Sequence, residues 1–187
     1  MTEDYESIMK NYMWDIVLRP KEKSIVNSKC IYKIKHLADG SVEKYKAIFV
    51  ARGFSQIERI YYEEKFSPLD RYTSICMIIS LATSMGWRLH HMDVKTTFLN
   101  GDIEEEFYIE QLDGFVIHEK VSHVYMLEKA LYGLKHAPRA WYEKIQGYLM
   151  SLGFKKSVVD PNLYYHIVSD DFFILVLYDD ELLLTSS

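Results

Sequence analysis

The stretch Phe172-Phe173-Ile174-Leu175-Val176-Leu177-Tyr178-Asp179-Asp180-Glu181-Leu182-Leu183-Leu184 decides how this chain is read. An apolar run leads into three adjacent carboxylates, and three leucines follow. Short apolar runs of this kind read as strands, and the acids between them as the tip of a buried hairpin. Adjacent like charges repel, and burying carboxylates is costly unless something pairs with them. A divalent cation is the natural partner, because Mg²⁺ prefers oxygen ligands and is usually held by one or two carboxylates plus phosphate. An exposed turn with its acids in water accounts for the same residues equally well.

Working outward, Asp160-Pro161 turns the chain, Leu163 to Val168 forms a strand, and Ser169-Asp170-Asp171 reverses it into the hairpin. Before these, Pro138 sits where a first helical residue is tolerated. Trp141, Ile145, Tyr148, Leu149 and Leu152 mark a buried helix face that Gly153 ends. Further upstream, Trp87 to Val94 reads as a strand ending in Asp93. A helix precedes it over Thr73 to Met85, with Ile75, Ile78, Ile79 and Ala82 on one face and Gly86 as its stop. The order is therefore a strand with a terminal Asp, a helix, and a hairpin with an acidic tip. If the strands are neighbours, Asp93 meets Asp180. Two such carboxylates suit two metals about 3.5–4 Å apart for in-line displacement at phosphorus.

In the first half, Tyr5, Ile8, Met9, Tyr12 and Met13 recur at helical spacing behind Thr2 as cap. Trp14 to Leu18 reads as a strand stopped by Pro20. Cys30 to Lys35 and Val42 to Ala51 form a hairpin around Asp39-Gly40, and Gly53 ends it. Phe54 to Tyr72 is loop-like. Asn100-Gly101 is a turn, and Asp102 to Glu106 reads as a solvated acidic face. Phe107 to Ile109 and Val124 to Leu127 are short strands.

The 187 residues, 49% of them hydrophobic, suffice for one domain with a real core, in one or two lobes. Cys30 and Cys76 form no zinc-ligand spacing, and a reducing compartment fits them. Met1-Thr2-Glu3-Asp4 has no apolar signal core behind it, and no run of about 18 apolar residues occurs, so no membrane span is expected. The net charge of −5 is uneven: Arg19 to Arg59 holds ten basic and four acidic residues, which makes it +6 and the remainder −11. A basic lobe beside an acidic one suits a polyanion held near a metal site, and an ordinary solvated lysine face gives the same count.

Long motifs narrow these alternatives. His91-Met92-Asp93-Val94-Lys95-Thr96-Thr97-Phe98-Leu99-Asn100-Gly101 resembles the signature QMDVKTAFLNG of copia-type LTR retrotransposon reverse transcriptases. Leu131-Tyr132-Gly133-Leu134-Lys135-His136-Ala137-Pro138-Arg139-Ala140-Trp141-Tyr142 resembles that family's LYGLKQAPRAWY, and Tyr45 to Gln56 its YKARLVARGFSQ. Phe66-Ser67-Pro68 and Asp160-Pro161-Asn162-Leu163-Tyr164 fit in order and spacing. The resemblance covers nearly the whole chain, and it disfavours another metal-dependent phosphoryl-transfer or cyclase-like domain.

The resemblance implies an RNA-directed DNA polymerase of α+β class with palm and fingers. Residues 1–86 and about 102–128 would be fingers-like, and 87–101 and 129–187 palm-like. Ending at Ser187, the chain is expected to lack the thumb and the ribonuclease H domain. Asp93 would be the first palm carboxylate. Aligned without a gap to the family's Tyr-Val-Asp-Asp, Asp180 is its first Asp, Glu181 replaces its second and Asp179 replaces its Val. Asp93, Asp180 and Glu181 would then serve two Mg²⁺ or Mn²⁺ ions. A one-residue deletion makes Asp179 and Asp180 the pair instead. Phe98 would exclude a ribose 2′-hydroxyl, Gly133 would let the templating pair approach, and Lys46 and Arg52 would reach triphosphate or template phosphates. The implied partners are an RNA or DNA template with primer, deoxynucleoside triphosphates and other polyprotein domains, in a cytoplasmic particle. Ile48 replaces an Arg of the pattern, His136 a Gln, Cys30 a Trp and Leu112 a Pro. Two versions of the function follow: a polymerase core, or a decayed copy retaining at most nucleic-acid binding.

Overall fold

A computed structural model describes residues 13–52, 72–112 and 121–187. The helix expected over Tyr5 to Met13, the stop at Gly53, the loop from Phe54 to Tyr72 and the Phe66-Ser67-Pro68 motif lie wholly or almost wholly outside them. In chain order the elements are β1 (Trp14–Leu18), β2 (Ile25–Val26), β3 (Ser28–His36), β4 (Val42–Ala51), α1 (Tyr72–Met85), β5 (Arg88–Asp93), a 3₁₀ turn (Thr97–Asn100), β6 (Asp102–Ile109), β7 (His123–Lys129), α2 (Ala137–Ser151), β8 (Lys155–Lys156), β9 (Leu163–Val168), β10 (Asp171–Tyr178) and β11 (Glu181–Ser186). They divide into two compact units, Met1–Lys65 with Phe98–Trp141 and Phe66–Thr97 with Tyr142–Ser187. No helix among the described residues is long and apolar enough to cross a membrane.

The first unit holds a sheet in the order β1-β7-β6-β2 and the separate ribbon β3-β4. Its core is aromatic at one end: Trp14 stacks on Tyr125 at 4.6 Å and meets Phe49 edge-on at 5.4 Å. The acidic segment expected as a solvated face is solvated at Asp102, Glu105 and Glu106, but it belongs to β6, which begins at Asp102. Its pairing with β7 shifts register between Asp102 and Phe107, so the acids are carried on an irregular edge while Phe107 and Ile109 enter the core. The ribbon turns at Gly40 with φ 86, as the Asp39-Gly40 signal requires. Its register sets Lys35 directly opposite Lys44 and Lys33 opposite Lys46. Like charges facing across strands destabilise a ribbon in isolation.

His136 is the weak point of this core. It is buried, its ring lies 4.7 Å from that of Phe107, and neither ring nitrogen has a hydrogen-bond partner among the described residues. A buried polar group left unpaired costs about 1–3 kcal/mol. Burial holds its pKa below the ordinary imidazole value, against a smaller upward pull from Glu105. The unfolded chain therefore takes up this proton at a higher pH than the folded chain. Stability from this site is complete above about pH 6.5 and is lost as pH falls toward the lowered folded value. Urea unfolding followed by tryptophan fluorescence is expected to show stability falling between pH 7 and pH 5, with a shallower fall in His136→Gln. An unchanged slope in that variant would exclude His136 as the source.

The second unit is one sheet in the order β5-β11-β10-β9-β8, with α1 packed on β5, β10 and β11. Buried Ile78 and Ala82 seat the helix, whereas Ile79, expected on the same face, is exposed. The helix ends as expected: Gly86 at φ 70 and Trp87 donate to the carbonyls of Thr83 and Ala82. The same cap closes α2, where Gly153 and Phe154 bond Met150 and Leu149. On α2, Trp141, Ile145 and Leu149 are buried, but Tyr148 is exposed, as is Leu152 just past the end of the helix. The apolar stripe is narrower than its residues suggest, because Tyr142 takes up burial instead, its hydroxyl bonding the Pro161 carbonyl at 2.7 Å. Asp160 is buried in the turn before β9. Its Oδ1 accepts the Asn162 amide at 3.0 Å, and its Oδ2 accepts the Ser74 hydroxyl of α1.

Candidate active site

The hairpin expected at the acidic tip forms. β10 and β11 pair from Phe173–Ser186 to Tyr178–Glu181, leaving Asp179 and Asp180 as a two-residue turn. Asp179 is held at φ 49. That left-handed conformation is tolerated by Asp and is an outlier for a β-branched residue such as Val. The backbone thus accounts for an Asp at 179 without a ligand role. The strand behind the tip is buried at Leu175, Val176 and Leu177, but Asp179 and Asp180 are exposed and Glu181 is half-buried. Of the two readings of the tip, a buried hairpin end and an exposed turn with its acids in water, the second describes Asp179 and Asp180. The turn projects beyond the sheet into water, so desolvation does not itself demand a cation.

What brings acids together is strand order. β11 pairs antiparallel with β5, and the register sets Glu181 directly opposite Asp93, Met92 opposite Leu182 and His91 opposite Leu183. Residues so paired have Cβ atoms about 4.5–5.5 Å apart. One residue past the ladder, the Val94 amide donates to the Asp180 carbonyl at 2.8 Å. Asp93, which is exposed, is therefore locked at the tip end of its strand beside the Asp179-Asp180 turn. The next residues are fixed as well: Thr96 adopts φ 54, and the buried Thr97 hydroxyl donates to the Val94 carbonyl at 2.6 Å. Thr185 bridges the same two strands lower down, donating to the Arg88 carbonyl at 2.9 Å.

Two neighbours of the tip escaped sequence reading. His91 Nε2 lies 3.0 Å from Glu181 Oε2. The Tyr178 hydroxyl meets that of Tyr72, at the start of α1, at 2.6 Å. His91 is two residues before Asp93, so strand alternation alone puts it on the acid's face. Nothing in the local sequence announces Tyr72.

The remaining residues singled out from the sequence lie in the other unit. Gly133 has φ 89, and a Cβ built on it would stand 2.2 Å from the Ala51 carbonyl oxygen. Phe98 is half-buried against the core, its ring edge-on to Tyr132 at 5.0 Å. The Ala51 amide donates to the Tyr132 carbonyl at 2.8 Å, and the Ala130 amide to the Gly101 carbonyl at 2.8 Å. Two of the recognition motifs thus meet backbone to backbone, and the end of a third meets the residue just before Leu131. Arg52 follows β4, exposed, its amide on the Asn27 carbonyl, beside a cleft of about 430 Å³ that Glu110, Gln111 and His123 also line. Lys46 is placed by its backbone, opposite Lys33.

The chemistry of the tip suits a divalent cation of a particular kind. Asp93, Asp180 and Glu181 offer only hard oxygen donors. Among the described residues no group of three or more His, Cys, Asp or Glu converges closely enough to cage a metal. Mg²⁺ needs no such cage, because one or two carboxylates suffice when substrate phosphates and water complete the octahedron. The donor set fits an ion that arrives with a nucleotide.

A family model described as reverse transcriptase (RNA-dependent DNA polymerase) matches residues 11–187. A retrovirus-related Pol polyprotein from transposon TNT 1-94 of Nicotiana tabacum is 42% identical over 185 residues, which are 98% of this chain and 14% of that protein. Another, from transposon RE1 of Arabidopsis thaliana, is 35% identical over 188 residues, 100% of this chain and 13% of that one. The chain thus spans about one seventh of the length of these curated relatives. On this match, which covers all the described elements, the chain belongs to the reverse transcriptase family, in its copia-type retrotransposon branch.

Proposed function

We propose that this chain carries the catalytic carboxylates of an RNA-directed DNA polymerase and works by two-metal nucleotidyl transfer. One observation carries the reading: pairing of β5 with β11 brings the Asp93 motif and the acidic tip, remote in sequence, to one end of one sheet. Asp93 and Asp180 are the ligands, with Glu181 as the third acid. Ions held by these residues would supply activation of the primer 3′-hydroxyl and charge neutralisation at the departing pyrophosphate. The protein's share is to hold the carboxylates at fixed positions, which the Val94–Asp180 backbone bond and the buried Thr97 bond accomplish. In this reading the sheet with the acids is palm-like and the β3-β4 ribbon fingers-like, and the partners are a primer–template and deoxynucleoside triphosphates. Motif position alone assigns Phe98 to exclusion of a 2′-hydroxyl, Gly133 to the templating pair, and Lys46 and Arg52 to phosphates. Lys35 facing Lys44 on the ribbon supports a polyanion partner, which would relieve their mutual repulsion.

A second reading has its own support. Glu181 stands where the family pattern has Asp, and its carboxylate is engaged by His91. A copy so altered would bind nucleic acid without synthesis. Primer extension on an RNA template with Mg²⁺ or Mn²⁺ separates the two. Metal-dependent incorporation of deoxynucleotides supports the polymerase. Binding that weakens steeply with salt, without incorporation even in Glu181→Asp, supports the silent copy.

A further inference from the structure

Glu181 and Asp93 face each other, yet the Glu181 carboxylate is bonded elsewhere. Its Oε2 lies 3.0 Å from Nε2 of His91. His91 lies on the Asp93 face of β5, two residues farther from the turn, so it is the diagonal cross-strand neighbour of Glu181. A carboxylate held in that bond leans back along β5, away from the tip where Asp93 and Asp180 stand. The diagonal is long, and the extra methylene of Glu helps to span it. The family pattern has Gln at position 91 and Asp at 181, so two departures of this chain touch one another.

We infer that His91 is a latch on Glu181, a positioning residue that withholds the third carboxylate of the tip from a divalent cation. The inference rests on the site proposed above. With the latch closed, the cation finds Asp93 and Asp180 only. The side chains of the pair are 62% and 44% exposed, so water competes with their bond, and an incoming cation can draw Glu181 across. The latch therefore lowers metal affinity without abolishing it. Opening it frees an oxygen donor directly opposite Asp93.

The test is Mn²⁺ binding to the whole chain, read as free Mn²⁺ by electron paramagnetic resonance, in a double-mutant cycle. His91→Ala is expected to tighten Mn²⁺ binding by about three- to fivefold, the size of the contribution an exposed ion pair makes. In the Glu181→Gln background the same change is expected to do nothing, because no carboxylate remains to be released. A gain that persists in that background would mean that His91 merely repels the cation, and would overturn the latch. Weaker binding in His91→Ala would also overturn it, by showing that His91 presents Glu181 to the ion. Asp93→Asn separates the inference from the site. If it leaves Mn²⁺ binding unchanged, the site and the latch both fall. If it removes binding while His91→Ala has no effect, the latch alone falls.

Discussion

Asp93→Asn is expected to reduce metal-dependent primer extension at least about a thousandfold, or about 4 kcal/mol of transition-state stabilisation. The substitution is nearly isosteric, and Asp93 is an exposed residue at the end of β5, so the strand pairing survives it. What it removes is one full negative charge and one hard ligand at the tip. Asparagine still offers a carbonyl oxygen, but a neutral one, and it neither balances a second cation nor holds the first beside a triphosphate. Unfolding curves for the variant should overlay those of the parent, which separates lost chemistry from lost structure. Extension at the parental rate would sink the assignment of Asp93. Extension absent from both, with primer–template binding retained, would favour the silent copy.

Gly133→Ala is expected to destabilise the first unit by about 3–5 kcal/mol, near the upper end for single substitutions. Two costs act together. At φ 89 the backbone lies where residues with a Cβ are strained, at about 1–2 kcal/mol. The new methyl would also stand 2.2 Å from the Ala51 carbonyl oxygen and 3.2 Å from its carbon. These are backbone atoms at the end of β4, and no side-chain rotation relieves the overlap. Withdrawing β4 breaks the buried 2.8 Å bond from the Ala51 amide to Tyr132 and adds the cost of unpaired groups. Domains are stable by only about 5–15 kcal/mol, so the variant is expected to lose a substantial share of its urea midpoint. A loss below about 1 kcal/mol would show that the approach of Gly133 to Ala51 is not as close as described.

The glycine shows the boundary between sequence and structure. Motif position marked Gly133 for a role toward the template, and nothing local pointed to Ala51. That contact joins segments far apart in the chain, and local periodicity carries no record of it. The helix faces failed for a related reason. Tyr148, Leu152 and Ile79 sit at the spacing of a buried stripe, yet what a helix buries depends on the width of the surface beneath it. Turn chemistry was more dependable. Gly40, Gly86 and Gly153 stand at positive φ where a hairpin or a helix end was expected, because that conformation is a property of one residue and its neighbours.

The sequence by itself determined the family, both described helices, most of the longer strands, the hairpin at Tyr178 to Glu181 and the identity of its acids. These follow from short-range pattern and from long motifs in order. The short β2 and β8 and the start of β6 at Asp102 were not legible in the sequence. Only the tertiary structure decided that Glu181 faces Asp93, that the tip stands in water, and that His91 holds the Glu181 carboxylate. Register is set where two strands meet, and a slip of one residue would turn every side chain to the other face. Sequence fixes which acids exist, but the β5–β11 pairing decides which of them meet and what else reaches them first.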